Sequence, residues 1–192
     1  MPLLRHGAIV EDEWTRVADA SGLADPLPII VPHDLWLAHR DRLLGRTQPL
    51  GLHLPAGQSP ETLAEDIQRF SLIAVAFPKF TDGRGFSYGR LLRERLGYRR
   101  ELRAVGQVLR DQFAFILRCG FDSFEIADAD DPADWLAAAA AISDWYQPGS
   151  DGRPTIQRRR AHDTGRAFAW QAAVGSAKSR LPLRRSTGAA AH

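Results

Sequence analysis

A repeated strand–helix pattern over residues 50–145 limits this chain to a small set of folds. Short apolar runs of strand length begin at residues 50, 72, 101 and 123, and a polar turn and a helical pattern follow each one. Four such units predict a parallel sheet, because each helix must cover the sheet while the chain returns to start the next strand. The predicted fold class is therefore α/β with a small parallel sheet of about four βα units. The spacing suits a half-barrel or a doubly wound sheet equally.

The ends of the predicted helices are marked by particular residues. Ser59 and Asp131 each precede a proline, which is typical of a helix start. Gly97 and Gly120 are placed to end the second and third helices. These signals predict helices over about residues 59–70, 86–96, 107–119 and 131–145.

The N-terminal part of the chain gives weaker signals. Residues 7–10 and 14–17 flank an acidic tripeptide and predict a small hairpin-like extension. Residues 27–31 predict a short extended segment, and residues 33–44 predict a helix that ends at Gly45.

A change of composition near residue 150 predicts the domain boundary. We expect a compact domain over residues 1–149, with its core at 50–149, because a Pro-Gly-Ser turn follows the last predicted helix. Residues 151–192 carry 9 Lys+Arg against 2 Asp+Glu, and they contain few large apolar side chains. Residues 150–192 are therefore predicted to form a basic, mostly disordered tail. Nucleic acid is not an expected partner of this tail, because no recognition-helix, zinc-finger or RNA-binding signature accompanies it.

Composition excludes several classes of protein. No apolar run approaches the roughly 20 residues that span a bilayer, and the N-terminus lacks the apolar core of a secretory signal, so we expect a cytoplasmic protein with no membrane partner. Cys119 is the single cysteine, which excludes an intrachain disulfide and an iron–sulfur cluster held by this chain alone. No cofactor motif is evident, and the histidines show no metal-ligand spacing.

The loop after the second predicted strand carries the strongest candidate site. Ligands of parallel α/β sheets bind beyond the carboxyl ends of the strands. This loop offers Lys79, Asp82 and Arg84, together with Gly83 and Gly85, whose backbone N–H groups can approach an anion at the start of the next helix. We therefore predict a site for a small anion here. The alternative is a glycine turn whose charges are only solvated.

The next strand and its loop extend this predicted anion site. Arg103 and Arg110 are expected to contribute two further guanidinium groups. In a catalytic version of the site, Asp82 or Asp111 would act as the acid or base.

Residues 84–118 are strongly basic, with nine arginines against three carboxylates and a net charge of +6. Such a segment is often a solvated helix surface. The alternative is a docking surface for an acidic partner, for which Arg93, Arg95 and Arg99 are the candidates.

Three segments of the chain resemble a known family. They are residues 76–90 (AFPKFTDGRGFSYGR), residues 101–112 (ELRAVG followed by LRDQ) and residues 118–124 (RCGFDSF). This combination is similar to the bacterial domain-of-unknown-function 934 family over about residues 50–150. Members typically lie beside genes of assimilatory sulfite reduction and are often labelled as an oxidoreductase of that pathway. The resemblance therefore implies sulfite reductase as a partner, and it supplies no catalytic residue.

Two functions follow from this resemblance. The first is an accessory protein that acts with sulfite reductase by electron delivery, cofactor insertion or assembly. The second is an oxidoreductase or other enzyme that acts on a small anionic substrate at the carboxyl edge of the sheet. Sulfite reduction itself uses a metal tetrapyrrole and an iron–sulfur cluster, which a chain with one cysteine cannot hold alone. The accessory function is therefore preferred.

Overall fold

A computed structural model describes residues 1–127 and 131–160 of the chain. The strands are β1 (Leu3–Arg5), β2 (Ala8–Val10), β3 (Thr15–Arg16), β4 (Ile29–Pro32), β5 (Leu50–Leu54), β6 (Leu72–Phe77), β7 (Glu101–Gly106) and β8 (Ser123–Glu125). The α-helices are α1 (His33–Ala38), α2 (Arg40–Leu44), α3 (Arg84–Arg90), α4 (Phe113–Arg118) and α5 (Pro132–Ala140).

The chain divides into two compact units. The first contains Met1–Ser143 and Pro148–Arg153, and it holds the whole sheet. The second contains Asp144–Gln147 and continues from Pro154. The predicted disordered tail falls mainly on residues 161–192, which lie outside the described residues.

All eight strands form one sheet in the order β2-β1-β8-β7-β6-β5-β4-β3. Strands β3 to β8 are parallel and lie side by side in chain order, whereas β1 pairs antiparallel with both β8 and β2. The α/β class is confirmed, and the sequential order is that of a half-barrel. The doubly wound alternative is wrong, because that topology reverses the strand order at a switch point. The sheet is also larger than the four predicted strands.

The N-terminal hairpin forms at a different place from the one predicted. Strands β1 and β2 pair around His6 and Gly7, whose φ angles are 51° and 83°. Two successive positive φ angles are typical of the tight turn that matches the twist of a hairpin. Strand β3 does not join this hairpin and pairs with β4 at the opposite edge of the sheet.

The link between β2 and β3 shows that the sheet is strongly curled. Five peptide steps join Val10 to Thr15, and a chain of that length reaches at most about 18 Å. The edges of a flat eight-stranded sheet would be about 34 Å apart. The link therefore crosses the concave face, where the ring of Trp14 lies 3.1 Å from the position a Cβ atom would occupy on Gly51.

The helices cover the other, convex face and form the main core with it. Trp36 of α1 meets Phe70 edge to face with ring centroids 4.7 Å apart, and Phe113 of α4 meets Trp135 of α5 at 5.1 Å. One crossover hand and one strand order place the helices that connect the parallel strands on the same side of the sheet. Within residues 1–127 and 131–143 no helix lies over the concave face, which carries the small apolar group of Ile30, Leu72, Ala74 and Val105.

Two of the predicted helix starts are confirmed, and the helices themselves are shorter. The Ser59 hydroxyl accepts a hydrogen bond from Glu61 N at 3.3 Å, and the Asp131 carboxylate accepts one from Ala133 N at 2.9 Å. The segment after Ser59 forms two separate 3-10 turns instead of one helix, and α5 ends at Ala140 instead of residue 145.

Candidate functional site

Loops from three neighbouring strands meet at the carboxyl edge of the sheet. Gln112 Nε2 donates to the carbonyl of Phe80 at 3.0 Å, which joins the loop after β7 to the loop after β6. Gly57 N, in the loop after β5, donates to the hydroxyl of Tyr88 on α3 at 3.3 Å. The edge where the sequence predicts a ligand is therefore a continuous surface.

Within this surface, Asp82 occupies the position predicted for an anion. Its carboxylate accepts a hydrogen bond from the backbone N of Arg84 at 3.1 Å and from the Arg84 guanidinium at 2.9 and 2.6 Å. These hydrogen bonds lower the pKa of Asp82 to about 2. The first backbone N–H group of α3 therefore already donates its hydrogen bond to a carboxylate of the chain itself. The D-x-R spacing before a helix was the available sequence signal for this pairing.

The other residues of this loop have different surroundings. Lys79 is exposed, and it forms no ion pair with any residue in the described ranges. Gly83 is also exposed and has open space around it. Gly85 is buried, and a Cβ atom there would lie 2.5 Å from the ring of Phe77. Gly85 therefore allows close packing of α3 on the sheet, whereas Lys79 and Gly83 face the surface.

Arg110 and Asp111 both lie at the carboxyl edge, in the loop after β7. Arg110 forms an ion pair with Asp134 of α5, and its side chain is partly exposed. Asp111 is exposed. Asp82 neutralises the guanidinium group of Arg84, and Asp134 neutralises that of Arg110. Lys79 is therefore the cation in the loops after β6 and β7 that has no carboxylate partner among the described residues.

Arg103 lies on the concave face of the sheet and not among the loops at the carboxyl edge. It is 1% exposed and donates to Glu101 Oε1 at 3.0 and 3.2 Å and to Asp12 Oδ2 at 2.8 Å. Arg103 is therefore the centre of a buried charge cluster that ties the link between β2 and β3 to the sheet. Its position between the apolar residues Leu102 and Ala104 was the signal that it faces away from the helices.

The three arginines that are predicted to form a docking surface differ in their burial. Arg93 is 6% exposed and donates to the carbonyls of Gly120, Tyr98 and Arg100 and to the carboxylate of Asp122. Arg95 and Arg99 are exposed. Arg95 and Arg99 therefore face the surface, whereas Arg93 holds the amino ends of β7 and β8 together.

The sequence patterns do not predict two exposed apolar side chains at the carboxyl edge. Phe80 is 59% exposed, and Leu109, on the loop joined to it by Gln112, is 40% exposed. Lys79 precedes Phe80 and Arg110 follows Leu109. We call these four residues, Lys79, Phe80, Leu109 and Arg110, the loop surface. An apolar residue within a polar loop was the only signal for it.

The remaining candidate groups are the single cysteine and the side chains that could ligate a metal. Burial raises the pKa of the Cys119 thiol to about 11, so the thiol stays protonated near neutral pH. No group of three or more His, Cys, Asp or Glu side chains in these residues is arranged to hold a metal ion. None of the described helices has both the length and the apolar character that crossing a membrane requires.

The comparison with known proteins identifies a family over the α/β core. No curated protein matches the chain. Residues 51–156 match the family described as bacterial protein of unknown function, DUF934. The match runs from β5 to the segment after α5, so it includes the loop surface and the Pro148–Arg153 segment. Because it covers more than half of the chain, the chain belongs to the DUF934 family of bacterial proteins.

Proposed function

We propose that this protein is an accessory protein of assimilatory sulfite reduction and that it binds sulfite reductase through the loop surface. The observation that carries the proposal is the exposure of Phe80 and Leu109, next to Lys79 and Arg110, at the carboxyl edge of the sheet. Exposed aromatic side chains next to cations are typical of protein contact surfaces. The resemblance to a family encoded beside sulfite reductase genes supplies the partner.

The surroundings of Asp82 favour binding over catalysis at this edge. With a pKa of about 2, the carboxylate is a weak base at neutral pH. Its oxygens already accept hydrogen bonds from the Arg84 guanidinium. The loop surface offers contact area and charge, which are the requirements of a docking site.

Exchange of the exposed loop side chains tests the proposed docking. We expect the Phe80→Ser, Lys79→Glu double variant to lose copurification with sulfite reductase and to fail to restore growth on sulfite to a strain that lacks the protein. A matched control is Phe115→Ser with Arg100→Glu, which changes one exposed phenylalanine and one exposed cation elsewhere. Equal loss in both variants, or normal growth of the deletion strain on sulfite, would contradict the proposal.

Arg95 and Arg99 form a second proposed contact, which should weaken as salt screens the exposed charges. Charge reversal at both arginines should reduce copurification with sulfite reductase and leave the fold intact. Arg93 is unsuitable for this test because its buried guanidinium holds three carbonyl groups. Unchanged binding by the Arg95→Glu, Arg99→Glu variant would restrict docking to the loop surface.

The second candidate function is an enzyme acting on a small anion held by Lys79, Arg84 and Arg110, with Asp82 or Asp111 as the acid or base. The contact of the loops after β5, β6 and β7 favours it, since ligands of parallel sheets bind where such loops meet. Calorimetric titration with sulfite and sulfate tests this alternative. Saturable binding that Lys79→Ala abolishes would favour the enzyme over the accessory protein.

A further inference from the structure

A polar cavity of about 380 Å³ lies at the amino-terminal edge of the sheet, away from the loop surface. Its walls come from residues 93–99, which lead into β7, from residues 120–122, which lead into β8, and from the Pro148–Arg153 segment. Ser150 fixes this segment, because its N donates to Arg118 O at 2.8 Å and its hydroxyl donates to Glu94 at 2.7 Å. The cavity is therefore formed by parts of the first compact unit that are tied to one another.

A second, more apolar cavity of about 260 Å³ adjoins the first. The two share the lining residues Leu117, Phe121, Asp122 and Arg153. The second cavity continues between the β1–β2 hairpin and α5, and its apolar lining includes Leu4, Phe113, Phe124 and Leu136. We call the two cavities together the amino-edge cleft. One end of the cleft is charged and the other is aliphatic and aromatic.

The charged end of the cleft has an excess of positive charge. Asp122 pairs with the buried Arg93 at 2.6 Å, and Asp151 pairs with the buried Arg118 at 2.8 Å. These two pairs neutralise the carboxylates that line the cavity.

Two further arginines lie at this end of the cleft. Arg153 is 52% exposed and shares Asp151 with Arg118: its Nε lies 3.5 Å from Oδ2, whereas Arg118 lies 2.8 Å from Oδ1. Arg99 is exposed and forms no ion pair within residues 1–127 and 131–160. Arg99 Nη1 donates to the carbonyl oxygen of Arg93 at 3.2 Å, which holds its guanidinium at the cavity wall. An anionic group would supply the missing negative charge here.

We propose that the amino-edge cleft is a binding site for a small amphipathic anion, a molecule with one sulfate, sulfonate, phosphate or carboxylate group on an apolar body. The anionic group binds between Arg99 and Arg153, and the apolar body lies against Phe121 and Leu136. The combined volume falls in the range of about 300–1,000 Å³ that is usual for small-molecule sites. This site is separate from the proposed docking of sulfite reductase at the loop surface, and it shares only Arg99 with the second proposed contact.

Two fluorescent probes that differ in charge test the proposal on the full chain. Anilinonaphthalenesulfonate carries the sulfonate, and N-phenyl-1-naphthylamine is its neutral counterpart. We expect saturable binding of the sulfonate probe, weakened about tenfold in the Arg99→Ala, Arg153→Ala variant, since hydrogen bonds to charged groups contribute on that scale. The neutral probe should bind both proteins equally. The matched control is Arg95→Ala with Arg100→Ala, which removes the same charge from exposed arginines outside the cleft.

A variant of the apolar end and a competition experiment complete the test. Leu136→Gln should weaken both probes, because Leu136 lines the apolar end and is half exposed, so its loss should not unfold α5. With the unaltered chain, octyl sulfate should displace the sulfonate probe at lower concentration than either sulfate or octanol. The proposal is overturned if the control variant weakens binding as much as Arg99→Ala, Arg153→Ala, if that variant weakens both probes equally, or if octyl sulfate competes no better than octanol.

Discussion

Arg16 on β3 and Glu125 on β8 form an ion pair although four strands lie between them in the sheet. Five strand spacings of about 4.8 Å exceed the reach of two side chains in a flat sheet, so this contact depends on the curl. Glu125 also lies 3.8 Å from the buried Arg103, which joins the pair to the charge cluster on the concave face. The pair therefore reports directly on how far the sheet is curled.

Removal of the Glu125 charge should destabilise the fold more than removal of the Arg16 charge. We expect Glu125→Gln to lower the free energy of unfolding by about 1–3 kcal/mol, because Glu125 is mostly buried and faces two guanidinium groups. Arg16→Gln should cost less than about 1 kcal/mol, since Arg16 is half exposed. Urea denaturation of the single and double variants gives their coupling energy. A coupling of zero would show that the two side chains do not meet in solution.

The protonation of His53 should depend on the same pair. Burial lowers the pKa of His53 below 6.5, Arg16 lowers it further, and Glu125 raises it. As the pH falls through about 6.5, the unfolded state takes up the proton first, so stability decreases. Arg16→Gln should raise the pKa of His53 and reduce this loss, and Glu125→Gln should lower the pKa. Imidazole chemical shifts measured against pH check both directions, and shifts of the opposite sign would contradict them.

Asp82 should stay ionised at pH values where ordinary carboxyl groups are protonated. Its hydrogen bonds with Arg84 lower its pKa to about 2, so this stabilising contact is fully present above pH 4 and is lost only as the pH falls through about 2. We expect the ¹³C carboxyl resonance of Asp82 to titrate near pH 2 and to move towards 3.8 in Arg84→Ala. Asp82→Asn should also increase sulfate affinity at this loop. An unchanged midpoint in Arg84→Ala would contradict the assigned cause.

Two glycines with positive φ angles should respond differently to alanine. Gly106, at the end of β7, has a φ of 95°, and a Cβ atom there would lie 2.6 Å from the carbonyl oxygen of Phe77. Gly97 has a φ of 64° and open space around it. We expect Gly97→Ala to cost about 1 kcal/mol from backbone strain and Gly106→Ala to cost at least about 2 kcal/mol from strain and collision. Thermal denaturation compares them, and equal losses would show that the collision is relieved.

The Pro148–Arg153 segment should stabilise the α/β unit. A chain that ends after Gly149 loses the hydrogen bonds of Ser150 and the ion pair between Asp151 and the buried Arg118. We expect it to be about 2–4 kcal/mol less stable than a chain that ends after Arg153, because a buried guanidinium loses its carboxylate. Chemical denaturation of the two chains measures the difference. Equal stability would place the boundary at Gly149, where the sequence predicts it.

The parts of the fold that depend on local sequence could be predicted. Strands β5 to β8 are short apolar runs between turn residues, and Asp131 starts α5 because its carboxylate binds a nearby backbone N–H. The position of β3 could not be predicted, since its pairing with β4 depends on the path of the whole chain.

In the candidate site too, the positions of the residues could be predicted and their distant partners could not. Lys79, Arg84 and Arg110 lie at the carboxyl edge because parallel strands carry their following loops to one edge of the sheet. The partners of these residues were not evident, because Asp134 meets Arg110 from a later helix. The burial of Arg93 depends partly on the carbonyl of Gly120 and the carboxylate of Asp122, which lie 27 and 29 residues later, and no spacing in the sequence reveals these contacts.

The position of β1 also constrains the order in which the fold is completed. Leu4 lies opposite Phe124, so a strand near the start of the chain finds its partner about 120 residues later. Contacts across such a distance form late, because the entropy of closing a long loop opposes them until the intervening elements are compact. During synthesis on the ribosome, β1 and β2 therefore cannot pair with the rest of the sheet until β8 has emerged. The residues of this domain that are synthesised first are among the last to reach their native place.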